Sequence, residues 1–285
     1  MSSLQLSDES EPEKKQSKAG RNLPAAIGVG VSLGALLIIG LFFLPWVLVV
    51  FAALAAMGGT WEVVQGINHK RGMGIPVLPA VITAFLLPFF AYLGGGQWLL
   101  FAVVASIVVL IACRLTGPKD GMIMSVMGSV FAMSWVPFML SLALLIFRQE
   151  GGAAKIFMVL LMAIANDTWG YIAGVLWGRH PMAPKISPKK TWEGFAGSLA
   201  GSIVVALLVA PLVGIPGWFG VVLASFLVVT ATAGDLSESM IKREIGIKDM
   251  SNILPGHGGI MDRLDSIVFC LAMGYVLFTV FGSLI

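Results

Sequence analysis

Near its C-terminus the chain reads HGGIMDRLDSIVFCLAMGYVLFTVFGSLI, an apolar run whose mouth holds His257, Asp262, Arg263 and Asp265. Asp262 and Asp265 are spaced i,i+3, so on a helix they share one face about a turn apart. Asp235 directly follows another apolar run. Three carboxylates converging at one membrane face repel each other unless a cation joins them, and an oxygen-only donor set suits Mg²⁺. The plainer alternative is a set of interfacial acids, with Arg263 as an ion-pair partner. Asp167, in MAIANDTWGYIAGVLW, is harder to read as interfacial. It lies about ten residues, hence ~15 Å at 1.5 Å per residue, inside its apolar segment. An ionisable group at that depth costs at least ~2.5 kcal/mol and marks a cavity or pathway by default. Asn166 and Thr168 add polar atoms beside it, and hydrogen-bonding between helices is the competing explanation. Glu62 reads as an interfacial acid at the end of a span.

The cations fall in two groups, each with hydroxyls close by. Ser187-Pro188-Lys189-Lys190-Thr191 is one, and Ser239-x-x-Lys242-Arg243, followed by Lys248 and Asp249, is the other. Paired bases with hydroxyls can grip phosphates, although each group alone is also an ordinary basic loop at a membrane surface. In PGHGGI, glycines 256, 258 and 259 let main-chain N–H groups approach an anion. His257 could there donate to a phosphate or carry a proton; no second His or Cys lies near enough to make it a metal ligand. Oxygen ligands for a divalent cation, a phosphate grip and a polar cavity reaching into lipid together imply phosphoryl or nucleotidyl transfer involving a lipid, chemistry in which positioning and charge neutralisation dominate.

The elements that must position these residues are membrane helices. The 285 residues are 58% hydrophobic and only 12% charged, with a mean hydropathy of +0.93. No single soluble core can hide that much apolar surface, so the bilayer is the solvent. The net charge of +3 suits basic loops at a membrane and calls for no nucleic acid. Cys113 and Cys270 sit in apolar runs without C-x-x-C spacing and read as packing thiols. Runs of about 20 apolar residues cross a ~30 Å core, and nine are found: 24–43, 46–66, 76–93, 97–113, 122–147, 154–177, 194–212, 216–233 and 265–284. Leu44-Pro45 and Gly94-Gly95-Gly96 mark tight turns, and Pro137 a kink or tilt in the fifth span. With the N-terminus cytoplasmic, all 18 Lys and Arg fall on the inner side except Arg148 and Lys155, the expected positive-inside bias. The fold expected is thus an all-α integral membrane protein, N-terminus in, with a polar active site at the cytoplasmic face. Residues 1–22 read as a disordered cytoplasmic tail, 23–150 as anchoring helices and 151–285 as the catalytic region. Polar residues concentrate in two long connections, 178–193 and 234–264, both on the cytoplasmic face, and such loops commonly carry function.

The stretch SMIKREIGIKDMSNILPGHGGIMDRLD (Ser239–Asp265) resembles the signature of the phosphatidate cytidylyltransferases, S-x-apolar-K-R-x4-K-D followed by H-G-G-apolar-x-D-R-apolar-D. Ser239, Lys242, Arg243, Lys248, Asp249, His257, Gly258, Gly259, Asp262, Arg263 and Asp265 all meet it. NDTWGYIAGVLWGRHPMAPKISPKKTWEG resembles the family's N-D-T…G-R…S-P-K-K-T-W-E-G stretch. The likeness is strong over 166–265 and weak before it. It implies CTP and phosphatidate as partners, CDP-diacylglycerol and pyrophosphate as products, and a multi-pass protein of the cell membrane. It also implies Mg²⁺ with a second ion such as K⁺, and Asp235, Asp262 and Asp265 as metal ligands. On that basis Lys242, Arg243, Lys248 and His257 with its glycines are assigned to the CTP phosphates. Lys189 and Lys190, with Ser187, go to the phosphatidate headgroup or pyrophosphate, and Asp167 to the lipid-facing cavity. A homodimer is kept open as a partner state. A CTP-dependent polyprenol kinase would instead release CDP. A transporter would use Asp167 as a coupling site, but the matched discontinuous helices of that class are absent. The D-G-x2-A-R pattern of CDP-alcohol phosphotransferases is absent too.

Overall fold

A backbone in lipid must satisfy its N–H and C=O groups within its own segment, and the apolar sequence accordingly becomes helix. The structure, a computed structural model, describes residues 23–117, 120–254, 258–282 and 284; the tail read at 1–22 and His257 lie outside the described residues. The helices are α1 (Leu23–Phe42), α2 (Pro45–Arg71), α3 (Val77–Leu115), α4 (Met122–Met133), α5 (Met139–Phe147), α6 (Gly152–Trp177), α7 (Trp192–Val209), α8 (Gly217–Ile245) and α9 (Met261–Val280). Among the described residues, seven segments are long and apolar enough to cross a membrane, and Ile27–Phe42 is a shorter apolar helix. Large apolar side chains such as Phe43, Leu78, Leu100 and Leu208 are exposed on the outside, as expected of a multi-pass membrane protein.

The breaks come where the turn residues are. Pro45 opens α2: a proline at the first helical position forfeits an N–H that would have no helical partner. In α3 the backbone leaves helical angles at Gly95 (φ 70°, ψ −157°). The Phe90 ring lies 6.0 Å from Trp98 and 6.3 Å from Phe101, whereas eleven residues of straight helix would separate the last pair by ~16 Å. The element is therefore a helical hairpin, folded at the triple glycine. Pro137 is absorbed by a π-helical turn, Ser134–Phe138, that joins α4 to α5, the usual way a helix accommodates a residue without an N–H.

Two expectations need correcting. The connection read as a loop from 234 is helix until Ile245, and ends only where Gly246 adopts φ 72°. Hydropathy stops at residue 233, but EIGIK is the first place where the chain needs a left-handed residue. Asp235, Ser239, Lys242 and Arg243 thus ride on one rigid helix. The other correction is local and leaves the all-helical class intact: within 178–193, read as a loop, β1 (Pro181–Ala183) and β2 (Ser187–Thr191) pair antiparallel, Pro181 opposite Thr191 and Ala183 opposite Ser187.

Close helix crossings hold the C-terminal half together. A Cβ on Gly197 of α7 would sit 2.2 Å from the Ala173 Cβ of α6, so the crossing depends on a residue without a side chain. A Cβ on Gly234 of α8 would fall 2.4 Å from the Asp265 carbonyl oxygen of α9. Farther along the same helix pair, the Phe219 and Phe278 rings meet at 5.5 Å, within an apolar core that includes Leu223, Leu227, Val268 and Leu271.

Candidate active site

The two long connections identified from charge come together. Lys190 of β2 reaches Asp235 of α8, Nζ to Oδ2 2.5 Å, and the Arg243 Nε donates to the Ile186 carbonyl at 3.4 Å. The hairpin is itself tied down at its base: Glu193 accepts from the Arg179 and His180 amides at 3.1 and 3.2 Å and pairs with the His180 ring. Thr191 caps α7 by accepting from the Gly194 N–H at 3.1 Å, a side-chain oxygen meeting one of the amides a helix start leaves over.

Between hairpin, α6, α7 and α8 lies a cavity of about 310 Å³, walled on its polar side by Asn166, Asp167, Lys189, Lys190, Thr191 and Asp235. Asp167 is on that wall, as its depth suggested, with Oδ1 accepting from the Asn166 amide at 3.0 Å. The Asn166 Oδ1 is buried and has no hydrogen-bond partner among the described residues. A buried acceptor lacking a donor is costly, so this wall is suited to a polar guest. Ser187 pairs opposite Ala183 and is not among the lining residues.

Deeper between α8 and α9 is a second cluster. Lys242 sits between two acids, 2.5 Å from Glu238 Oε2 and 2.8 Å from Asp262 Oδ1. Its side chain is 15% exposed, that of Glu238 1% and that of Asp262 6%. Asp262 also accepts from the Met250 N–H at 3.0 Å and the Gly259 N–H at 2.8 Å. The Gly258 N–H goes to the Leu254 carbonyl at 3.1 Å. Both glycine amides are therefore spent on shaping the turn, and Gly258, at φ 84°, supplies the left-handed conformation it needs. Ser239 donates to Asp235 Oδ1 at 3.3 Å. Lys248, Asp249 and Arg263 are exposed, Arg263 at one end of an apolar cavity of about 450 Å³ that also touches α1 and α2.

Asp265 feels the charges of Asp235 and Asp167, and its Oδ1 accepts from the Ser266 amide at 2.7 Å. Among the described residues no three His, Cys, Asp or Glu side chains gather around a common metal position; the Asp262 oxygens are taken by N–H donors. The remaining oxygens still fit Mg²⁺, which is ordinarily held by one or two carboxylates, with waters and substrate phosphates completing the octahedron. Asp235 and Asp265 are the pair with that chemistry, and the Lys190 ammonium against Asp235 marks a place where positive charge is favoured.

Two acids of this region make contacts that the sequence does not announce. Glu238 follows Asp235 by three residues and precedes Lys242 by four, a helical stripe that becomes legible once α8 is extended. Glu62, read as an interfacial acid, is 1% exposed and accepts from the first amides of α9.

The sequence profile of the cytidylyltransferase family matches residues 24–281. A phosphatidate cytidylyltransferase of Mycobacterium bovis is 40% identical over 94% of this chain and 92% of its own length, and one of Mycobacterium leprae 38% identical over 93% and 90%. The chloroplastic phosphatidate cytidylyltransferase 4 of Arabidopsis thaliana is 29% identical over 95% of this chain and 76% of its own length. The chain belongs to the cytidylyltransferase family.

Proposed function

We propose that this protein is a membrane-embedded nucleotidyltransferase of phospholipid synthesis. It transfers the cytidylyl group of CTP to phosphatidate, giving CDP-diacylglycerol and pyrophosphate. The observation that carries this reading is the meeting, in one cavity, of Lys189 and Lys190 with Asp167 and Asp235, beside Asp265. The names and similarity of the relatives support it. A phosphatidate oxygen attacks the α-phosphorus of CTP while the bond from that phosphorus to the β-phosphate oxygen breaks, and pyrophosphate leaves. The attacking phosphate is already ionised, so no strong general base is required. What the site must do is offset repulsion between two anions and hold the reacting atoms in line.

Lys189 and Lys190 meet the phosphates at the cavity, because they line it and Lys242 does not. Lys242 holds Asp262 in place from inside the protein. Arg243 and Lys248, both exposed, extend the basic surface toward the triphosphate tail. Mg²⁺ held by Asp235 and Asp265, with K⁺ as a second ion, would neutralise developing charge on the leaving pyrophosphate. The chain crosses the membrane nine times, counting the α3 hairpin as two and α4 with α5 as one. The N-terminus and the hairpin face the cytoplasm of the cell whose membrane it spans, an arrangement supported by the basic loops.

Purified protein given phosphatidate and CTP labelled at the α- or the γ-phosphorus tests the reaction. Label from the α position should enter the lipid, with pyrophosphate released. Transfer of the γ label with release of CDP would make the protein a lipid kinase instead.

A further inference from the structure

The start of α9 is held by an acid from the far end of the sequence. Glu62 belongs to α2, yet its Oε1 accepts from the Ile260 N–H at 2.8 Å and its Oε2 from the Met261 N–H at 2.7 Å. Oε1 also accepts from the Ser251 hydroxyl at 2.5 Å. A helix begins with amides that have no helical partner and with the positive end of its dipole. A buried carboxylate with two of those amides and a hydroxyl is the charge that end favours, and the donors offset the cost of burying it.

The arrangement is matched across the turn by Asp262. Met250 and Ser251, consecutive at one side of the loop base, donate respectively to Asp262 and Glu62. Gly259 and Ile260, consecutive at the other side, do the same. A Cβ on Gly259 would lie 2.8 Å from both Glu62 oxygens and 3.0 Å from Asp262 Oδ2, so only glycine passes between the two acids. Asp262 is in turn gripped by Lys242. Met250–Ser251, Gly259–Ile260, the acids of α9 and the α8 lysine are thus referenced to a single side chain in the N-terminal half.

We propose that Glu62 is a positioning residue for the transfer reaction: it clamps the base of the 250–261 loop and fixes the direction in which α9 presents Asp262 and Asp265. This rests on the cytidylyl-transfer reading above, and the tests separate the two. Glu62→Gln keeps one acceptor oxygen but turns an NH₂ toward an N–H donor, while Glu62→Ala removes every acceptor. In the purified full chain, Glu62→Gln should lower kcat at least tenfold and Glu62→Ala a hundredfold. The KM for phosphatidate should stay within about threefold, and the Mg²⁺ concentration for half-maximal rate should rise. Hydrogen–deuterium exchange, which needs no activity, should speed up in peptides covering 250–262 and not in those covering α4 and α5. Wild-type kcat and Mg²⁺ dependence in both variants, or unchanged exchange at 250–262, would overturn the clamp. Exchange raised equally in every helix would reduce Glu62 to a general stability residue and also overturn it. A wild-type protein without cytidylyl transfer would refute the activity, leaving the exchange measurement to judge the clamp.

Discussion

Lys190 and Lys242 make the same kind of contact with an aspartate of the site, yet they stand in opposite settings. Lys242 is wedged between Glu238 and Asp262, all three at or below 15% exposed. Lys190 and Asp235 are about a quarter to a third exposed, at 27% and 32%, on the wall of the 310 Å³ cavity. An ion pair removed from water is strongly penalised when one member is lost, while one at a wet rim is worth little to stability. The same residue type can thus serve as an internal strut in one place and as a ligand-facing charge in another. Burial, more than membership in a motif, distinguishes the two.

The largest effect should come from the acid between these settings. Asp265→Asn keeps the shape of the side chain and removes the charge, so turnover should fall at least a thousandfold, about 4 kcal/mol of barrier. Monodisperse elution in detergent and unchanged thermal unfolding would show that the fold is intact. Activity near wild type at saturating Mg²⁺ would remove Asp265 from the proposed metal pair. Next, Lys242→Met leaves Glu238 and Asp262 buried without their cation and should lower unfolding stability by roughly 3–5 kcal/mol. Adding Glu238→Gln to it should recover part of that loss, because the pair then lacks one of its stranded charges. If the double variant is as unstable as the sum of the singles, the strut account fails. Smallest of the three, Arg243→Ala removes a long, exposed contact to the Ile186 carbonyl and should change stability by less than about 0.5 kcal/mol, with at most a few-fold change in rate. A larger loss would mean that the hairpin depends on Arg243 for its position.

The sequence made the helices, their turns and the meeting of the two charged connections legible, because each has a local signal. Hydropathy marks the spans, Pro45 and Gly95 mark reversals, and the basic residues mark one face. The end of α8 was hidden because hydropathy reports where lipid stops, and a helix can continue past the surface until something like Gly246 ends it. That continuation also concealed Glu238, whose role depends on lying one turn from Lys242. Glu62 was visible as an acid at the end of a span, but its contacts had no signal: its partners are a loop hydroxyl and backbone amides about 190–200 positions away, and amides leave no imprint on residue type. The cavity's Asn166 and Asp167 were readable because polar atoms deep in an apolar run are expensive. The β-hairpin escaped because its Pro-rich, charged strands lack the alternation that identifies a half-buried sheet.

The contrast between the two lysines is decided by measuring the KM for CTP and the unfolding temperature of Lys190→Ala and Lys242→Met side by side, in the same detergent and at the same Mg²⁺. The loss of one charge-assisted phosphate contact, on the order of 1.5–3 kcal/mol, corresponds to roughly tenfold to a hundredfold in affinity. Lys190→Ala should therefore raise the KM for CTP by about that factor and unfold at the wild-type temperature. Lys242→Met should unfold several degrees lower, with a KM for CTP within about threefold of wild type. The reverse pattern, with nucleotide affinity lost at Lys242 and stability lost at Lys190, would contradict the account and move the phosphate grip to the buried lysine.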